Sequence, residues 1–301
     1  MSLDRRDLLK AAAVPFALTA LPAVARPCAP LLIDSHVHVW KHDPRFPFAA
    51  GRKVPAEDAS AETLLELMVA NHVARIVLIQ VIHYQWDNGY LADALKRHPG
   101  KFLGVCRVNP EDPTAPDTLS RLVTEQGFHG VRISPYAAPA YDWITGPLMP
   151  PLWRRCAELK VPMTVLTEAP RLPQLHSLIE ANPDLTVVID HMADIRPDRP
   201  DDLRLLLALA RYPRVFVKIS HLWSLSRAPY PYADMTDPLK RLVAAFGPKR
   251  LMWGTDWPVS LPYRGYADIV ALYRDHLDWL PPEDRAQILG KTVQEVWPFG
   301  L

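Results

Sequence analysis

The chain has 301 residues, of which 49% are hydrophobic, and this size suits one large domain or two ordinary ones. Its formal net charge of +1 excludes the polybasic surface expected of a protein that binds nucleic acid or acidic lipid. Three cysteines, widely spaced and odd in number, exclude a disulfide framework and a CxxC zinc motif.

Residues 1–25 have the pattern of an export signal. An arginine pair, Arg5-Arg6, precedes a mildly apolar run, and an Ala-Val-Ala cleavage site ends at residue 25. The pair resembles the twin-arginine signal, which carries a folded protein to the periplasm. We therefore expect a periplasmic mature chain of 26–301 with no membrane anchor, because the run is too short and too rich in proline for a confident span. The alternative is a cytoplasmic amphipathic leader.

Apolar segments of strand length alternate with helical patterns along the mature chain. The predicted strands are 31–36, 74–82, 102–108, 130–134, 161–167, 185–190, 214–220 and 250–255. The predicted helices are 61–71, 89–98, 117–126, 147–159, 172–181, 201–210, 236–246 and 265–279, with a last one at 283–296. Several strands are continuous apolar runs, which is typical of parallel strands buried on both faces. Eight such units predict a single-domain α/β protein with a (β/α)8 TIM barrel. A doubly wound open sheet is the second choice, but no GxGxxG motif follows the first strand.

The first predicted strand ends in two histidines one residue apart, His36 and His38. Side chains alternate faces along a strand, so both imidazoles point to the same side. Such a pair suits a mononuclear metal site or a polar catalytic cavity. In a chain with 11 histidines, however, the spacing alone does not separate these roles from ordinary packing.

Polar side chains also follow the other predicted strands, at the carboxyl ends where active sites of TIM barrels lie. They are Gln80, His83, Tyr84, Asp87, Asn88, Arg107, Asn109, Arg132, Ser134, Thr167, Glu168, Asp190, His191, Lys218, Ser220, His221, Thr255, Asp256 and Trp257. Because the first and eighth strands of a barrel are neighbours, we expect the metal-binding set to be His36, His38, His191 and Asp256. Three nitrogens and a carboxylate fit one divalent metal, most readily Zn²⁺, with a position open for water or substrate. The alternative is a strand-end hydrogen bond for His191 and a turn or N-cap role for Asp256.

Four motifs of the chain resemble those of the amidohydrolase superfamily. They are Ile-Asp-Ser-His-Val-His-Val-Trp at 33–40, Ile-Asp-His at 189–191, Trp-Gly-Thr-Asp-Trp-Pro at 253–258 and Ile-Leu-Gly-Lys-Thr at 288–292. The resemblance covers 31–298 and is strongest for the lactonase branch, which includes 2-pyrone-4,6-dicarboxylate lactonase, fuconolactonase and sulfomuconolactone hydrolase. It implies a (β/α)8 hydrolase that acts on a carboxylic ester bond.

Two positions depart from the superfamily pattern. Many members have a bridging lysine on strand four and a metal-binding histidine on strand five, where this chain has Arg132 and Thr167-Glu168. A binuclear centre with a carbamylated lysine is therefore not expected. Some lactonases of the branch work without metal, so the resemblance leaves metal occupancy open. Glu168 is either a substitute ligand or an ordinary loop carboxylate.

Hydrolysis of a lactone needs an activated water, a polarised carbonyl and a stabilised leaving group. Asp256 is the predicted general base, and His191 is the second predicted catalytic residue. A metal held by His36, His38 and His191 would polarise the carbonyl. Without metal, the same histidines would donate hydrogen bonds to the developing oxyanion.

Three cations at the strand ends predict an anionic substrate. Arg107, Arg132 and Lys218 would be costly together without an anion, and an arginine fork matches carboxylate or sulfonate oxygens. The alternative is that each cation pairs with a local carboxylate such as Asp190. Aromatic candidates for the cavity wall are Trp40, Tyr84, Trp223 and Trp257, and Tyr84 is included among the substrate-binding residues.

The first hypothesis is thus a periplasmic lactonase for a small anionic lactone. The second keeps the fold but changes the reaction to nonoxidative decarboxylation of an aromatic or muconate-type acid. The third is a noncatalytic protein that binds an anionic metabolite and has no need of Asp256. The sequence leaves open the particular substrate, the identity of the metal and whether the chain forms a homo-oligomer.

Overall fold

The computed structural model describes residues 31–134 and 144–299. The predicted export signal lies outside the described residues. Eight strands follow one another along the chain: β1 Leu32–Val37, β2 Val73–Ile79, β3 Phe102–Val105, β4 Val131–Ile133, β5 Met163–Val165, β6 Val187–Ile189, β7 Val215–Lys218 and β8 Leu251–Met252. Every predicted strand is present, most of them shorter than the apolar run that predicted it.

At least one helix lies between each pair of consecutive strands, and short 3-10 segments extend several of these connections. The helices are α1 Ala61–Asn71, α2 Gly89–Arg97, α3 Ala115–Gln126, α4 Met149–Leu159, α5 His176–Ala181, α6 Pro200–Ala208, α7 Leu222–Leu225, α8 Thr236–Phe246, α9 Tyr266–Asp275, α10 Pro282–Ala286 and α11 Thr292–Val296. None of the helices in the described part of the chain has the length and apolar character needed to cross a membrane.

Two helical predictions differ from the structure, and one short helix, α7, is not predicted. The helix expected at 172–181 begins as a 3-10 segment, Ala169–Leu175, because Pro170 and Pro173 lack the amide donors of an α-helix. The last predicted helix is divided by a π-helical segment, Gln287–Lys291, where a side chain on Gly290 would collide with the carbonyl of Leu31. The short helix α7 has too few residues to produce a periodic pattern.

The strands are parallel and form two hydrogen-bonded sheets, ordered β1-β2-β3 and β4-β5-β6-β7-β8. Backbone hydrogen bonds join these sheets at both seams. At one seam the amide of Arg132 donates to the backbone carbonyl of Cys106 at 2.9 Å. At the other the amide of Asp256 donates to the backbone carbonyl of His36 at 2.8 Å. The predicted (β/α)8 barrel is therefore confirmed, with β1 beside the chain that follows β8.

The buried apolar side chains form two clusters, one between the strands and the helices and one inside the barrel. Ile76 and Leu78 of β2 belong to the large cluster shared with the helices. Val77, which points to the opposite face, belongs to a smaller cluster with Ile33 of β1 and Trp297 beyond α11. This smaller cluster fills the barrel interior with side chains, so the polar residues are left to the carboxyl ends of the strands.

Candidate active site

A cavity of about 460 Å³ lies at the carboxyl ends of the strands. This volume is within the usual range for a small-molecule site. Its described walls are formed by His38, Val81, Ile82, His83, Arg107, Arg132, Ser134, Leu166, His191, Asp194, His221, Asp256 and Val259. The segments that follow all eight strands contribute at least one wall residue each.

The junction between β1 and β8 positions the first functional side chains. The buried carboxylate of Asp34 accepts hydrogen bonds from the Thr255 hydroxyl at 2.6 Å, the Thr255 amide at 3.0 Å and the His36 amide at 3.1 Å. Burial raises the pKa of Asp34 to about 7, although these hydrogen bonds act to lower it. Gly254 allows the close approach, because a Cβ there would lie 2.8 Å from the Cβ of His36. The two strand ends are therefore fixed against each other.

Three of the four predicted metal ligands form a compact triangle of donor atoms. His36 Nε2 lies 3.3 Å from His38 Nε2 and 3.4 Å from Asp256 Oδ1, and His38 Nε2 lies 3.2 Å from the same oxygen. In a tetrahedral zinc site with bonds of about 2.05 Å, neighbouring ligand atoms are about 3.3 Å apart. The triangle His36, His38 and Asp256 therefore fits one face of such a site by its distances.

The other ring nitrogens of the two β1 histidines have different partners. His38 Nδ1 lies 2.7 Å from the carbonyl of Ile79, so Nδ1–H donates and the lone pair of Nε2 faces the cavity. His36 Nδ1 instead lies 3.1 Å from Lys218 Nζ and 3.4 Å from Asp190 Oδ1. Burial and the charge of Lys218 lower the pKa of His36 to about 3.

The fourth predicted ligand, His191, lies beside this triangle and is outside it. Its ring centroid is 4.4 Å from that of His36, and its Nδ1 is 2.8 Å from the Ser220 hydroxyl. A run of four residues with positive φ, His191 to Asp194, carries it there. Non-glycine residues pay about 1–2 kcal/mol each for the left-handed conformation, so the surrounding fold must impose this turn.

His221 is a site residue that the sequence hypothesis did not assign a role. Its Nε2 lies 3.0 Å from Asp256 Oδ2, and its ring stacks on His191 with centroids 4.2 Å apart. His221, His191 and Asp256 form a second group of donor atoms, all within 4.8 Å of one another. Its backbone has φ of 72°, and nothing in the local sequence predicts this turn.

Asp256 is buried, and each of its oxygens faces imidazoles. Burial acts to raise its pKa, but the hydrogen bond from His221 and the other neighbouring imidazoles outweigh burial and hold the pKa well below the ordinary value. The carboxylate is therefore ionised at neutral pH. It is available as a proton acceptor or as an anionic ligand.

The three predicted substrate-binding cations have different surroundings. Asp190 Oδ2 accepts from Arg132 Nε at 2.8 Å, and Asp190 Oδ1 lies 3.0 Å from Lys218 Nζ. Although burial opposes them, Lys218, His36 and Arg132 hold the pKa of Asp190 well below its usual range. Arg132 still lines the cavity, whereas Lys218 is fully buried behind the wall.

Arg107 has no carboxylate partner among the described residues. Its guanidinium donates to the Ser134 hydroxyl at 3.0 Å and lies over the Trp86 ring at 5.3 Å, while Nε and Nη2 are buried without a hydrogen-bond partner. Burial lowers its pKa to about 9, and the charges of Arg132 and Arg52 act in the same direction. A cation so placed is ready to bind an anion that enters the cavity.

The structure places Tyr84 behind the cavity wall. Its hydroxyl accepts from the Lys41 amide and donates to the Lys41 carbonyl, both at 3.0 Å, and its ring stacks on Phe48. His83 is the side chain from this segment that reaches the cavity. None of the aromatic candidates, Trp40, Tyr84, Trp223 and Trp257, belongs to the described walls.

Glu168 is exposed and lies outside the cavity. It lines a separate surface depression together with Arg196 and Arg199. Among the described residues, it belongs to none of the groups whose ligand atoms are close enough to share a metal ion. The loop-carboxylate interpretation of Glu168 is the one that this placement favours.

Comparison with known proteins agrees with this architecture. The family model described as Amidohydrolase matches residues 33–299. The chain is 30% identical over 266 residues to 4-sulfomuconolactone hydrolase of Hydrogenophaga intermedia, covering 84% of this chain and 83% of that protein. It is 29% identical over 272 residues to L-fucono-1,5-lactonase of Burkholderia ambifaria, covering 86% and 92%. A crystal structure from Pseudomonas putida, described as a 2-pyrone-4,6-dicarboxylic acid hydrolase, superposes with a TM-score of 0.77 at 27% identity. The superposition covers 91% of this chain and 100% of that one.

Proposed function

The chain belongs to the amidohydrolase family, and we propose that this member hydrolyses a small lactone that carries a carboxylate or sulfonate group. Two relatives at about 30% identity bear names of lactone-opening enzymes, which supports a hydrolase of ester bonds. The prediction of an anionic substituent rests on the buried guanidinium of Arg107, which lines the same cavity as Asp256 and has no carboxylate partner among the described residues.

In the proposed reaction, Asp256 takes a proton from water as the water oxygen adds to the ring carbonyl. The C–O bond of the ring then breaks, and the proton passes to the departing alkoxide to give a hydroxy acid. His221 holds Asp256 Oδ2, which leaves Oδ1 to face the water and the β1 histidines. In this proposal His191, which lines the cavity, and His36, which is fully buried beside it, donate hydrogen bonds to the carbonyl oxygen as it gains charge.

A divalent metal would be held by His36, His38 and Asp256, with His191 alongside. Such an ion would polarise the ring carbonyl and lower the pKa of bound water. The assignments of Asp256 as base and Arg107 as anion-binding residue are the same with or without it.

The shape of the cavity supports a compact substrate. Val81, Ile82 and Leu166 give it apolar walls, while the polar groups converge from β1, β6 and β8. Arg107 and Arg132 both reach the cavity, but Arg132 is already bonded to Asp190. We therefore assign Arg107 to the anionic substituent and Arg132 to a neighbouring oxygen.

The test is a panel of matched lactones with and without a carboxylate, assayed on wild type, Arg107→Met and Arg107→Lys. Hydrogen bonds between charged groups contribute about 1.5–3 kcal/mol, so kcat/KM for the anionic lactone should fall about 10- to 150-fold in Arg107→Met. The neutral lactone should be nearly unaffected. Arg107→Lys should fall between the two, because it keeps the charge and loses the planar fork.

The competing hypotheses give different products in the same assay. Release of carbon dioxide without ring opening would replace the lactonase proposal by the decarboxylase. If the wild type turns over no lactone or acid, and Asp256→Asn binds the ligand as well as the wild type does, the chain is a binding protein. The lactonase predicts that Asp256→Asn still binds the anionic lactone but loses about 10² to 10⁴ in kcat.

We also propose that the chain is exported to the periplasm by the twin-arginine route, on the strength of Arg5-Arg6 and the cleavage pattern before residue 26. Cell fractionation of the full chain and of a variant with both arginines replaced by lysine tests this. The wild type should appear in the periplasm with its first residue near 26, and the variant should stay in the cytoplasm. Equal cytoplasmic retention of both would contradict the proposal.

A further inference from the structure

Lys218 is a buried cation that the proposed hydrolysis does not use directly. It ends β7, is fully buried and does not line the cavity. Its Nζ lies 3.0 Å from Asp190 Oδ1 and 3.1 Å from His36 Nδ1. The ammonium group is therefore directly behind His36, on the side of the ring away from the cavity.

This contact favours one position for the proton of the neutral His36 ring. An ammonium group has three donors and no acceptor, so the nitrogen that faces it must accept through a lone pair. A neutral imidazole has one N–H, and with Nδ1 bare that proton is on Nε2. Nε2 is the atom that faces Asp256 Oδ1 at 3.4 Å and His38 Nε2 at 3.3 Å.

The neighbours of His36 complement this arrangement. His38 donates from Nδ1 to the Ile79 carbonyl, so its Nε2 has a lone pair, and Asp256 is an anionic acceptor. A proton on His36 Nε2 thus faces acceptors only. The opposite tautomer would direct N–H toward the Lys218 ammonium at 3.1 Å, with Asp190 Oδ1 at 3.4 Å as the nearest acceptor, and would leave three lone pairs converging at the cavity floor.

We propose that Lys218 is a positioning residue that holds His36 as an Nε2–H donor toward the cavity and thereby opposes metal binding at the His36, His38 and Asp256 triangle. A metal needs the Nε2 lone pair of His36, so the proton must leave Nε2 and the Lys218–His36 hydrogen bond must break. The charge of Lys218 also repels a cation bound on the other side of the ring. The distances of the triangle fit a metal, and Lys218 is the feature that reduces its affinity.

The first test reads the proton position in the wild-type protein without substrate or metal. Long-range ¹H–¹⁵N spectra of the chain labelled at histidine, with His36 assigned through His36→Gln, distinguish the two tautomers. A protonated Nε2 and an unprotonated, hydrogen-bonded Nδ1 are expected. A proton on His36 Nδ1 would overturn the proposal.

The second test measures zinc affinity by competition with a chelator. Lys218→Met should bind zinc about 10- to 100-fold more tightly than wild type, the size of effect usual for groups that contact a metal ligand. Lys218→Arg, which keeps the charge and a donor, should stay near wild type, as should Lys101→Met, which removes an exposed charge. Equal or weaker zinc binding by folded Lys218→Met would contradict the proposal, and if that variant does not fold, the wild-type spectrum decides. Both measurements are made without substrate, so their outcome is separate from that of the lactone panel.

Discussion

Replacing His221 by phenylalanine should slow hydrolysis most at acidic pH. Phenylalanine keeps a planar ring to stack on His191, which lies 4.2 Å away between centroids, but it loses the donor 3.0 Å from Asp256 Oδ2. That hydrogen bond helps to hold the pKa of Asp256 below its ordinary value against the effect of burial. The variant therefore needs a higher pH to ionise its base.

The magnitude follows from the strength of one hydrogen bond to a charged group, about 1.5–3 kcal/mol. At 1.4 kcal/mol per factor of ten, kcat/KM on the acidic limb should fall about 10- to 150-fold. The sign follows from the proton balance: a carboxylate of depressed pKa stays ionised as the pH falls, and weakening the depression makes it protonate earlier. At a pH where both proteins are fully ionised, this difference should shrink toward nothing.

The assay is kcat/KM against pH for wild type, His221→Phe and His221→Gln, each with chelator and with added zinc. Glutamine restores an N–H donor without the ring, so its acidic limb should return toward that of wild type. Profiles of wild type and His221→Phe that superimpose at every pH would refute the role given to this hydrogen bond. Equal losses in both variants at every pH would show that His221 acts through packing alone.

Three further changes test the junction and turn that build the site. Asp34→Asn keeps an acceptor for the backbone amides and removes the ionisable group. Because the pKa of Asp34 is about 7 in the folded protein against an ordinary 3.8, the free energy of unfolding of the wild type should fall relative to this variant by up to about 4 kcal/mol between pH 4 and pH 7. Denaturant titration at each pH measures this difference. Gly254→Ala places a Cβ 2.8 Å from that of His36, so it should cost about 1–3 kcal/mol and lower kcat, while Gly265→Ala, with open space around it, should do neither. Ala193→Gly places glycine at a φ of 51°, so it should leave the free energy of unfolding unchanged or raise it by up to about 1 kcal/mol. A clear loss would show that this turn is not strained.

The fold could be predicted from the sequence because its signals are local and repeated. Each strand is an apolar run between turn residues, and several helices, such as α1 and α8, begin and end where their patterns do. What failed depends on the backbone rather than on periodicity. The π-helical segment Gln287–Lys291 contains Gly290, which lies against the carbonyl of Leu31 next to β1, and that tertiary contact has no local sequence pattern.

The site could be predicted at the level of strand ends but only partly at the level of contacts. His36, His38 and Asp256 meet because the first and last strands of any closed barrel are neighbours. The sequence also predicts His191 in this set, but His191 begins a run of residues in the left-handed conformation and lies beside the triangle. Nothing in a sequence without glycine predicts such a run. Tyr84 follows its strand by only a few residues, yet its hydroxyl is taken by the backbone of Lys41, a partner that only the tertiary structure reveals.

The division of the three cations shows why residue type alone could not identify the anion-binding group. Asp190 has two carboxylate oxygens, and one bonds to Arg132 while the other contacts Lys218. Lys218 is thereby held under His36, where its charge acts on the imidazole and not on a substrate. Arg107 follows β3 and donates to Ser134 instead, so among the described residues it has no acidic partner. The buried carboxylate of Asp190 thus gives Lys218 and Arg107 different roles: Lys218 acts on His36, and Arg107 is proposed to bind an anion. The sequence shows only two arginines and a lysine at strand ends, so it cannot distinguish these roles.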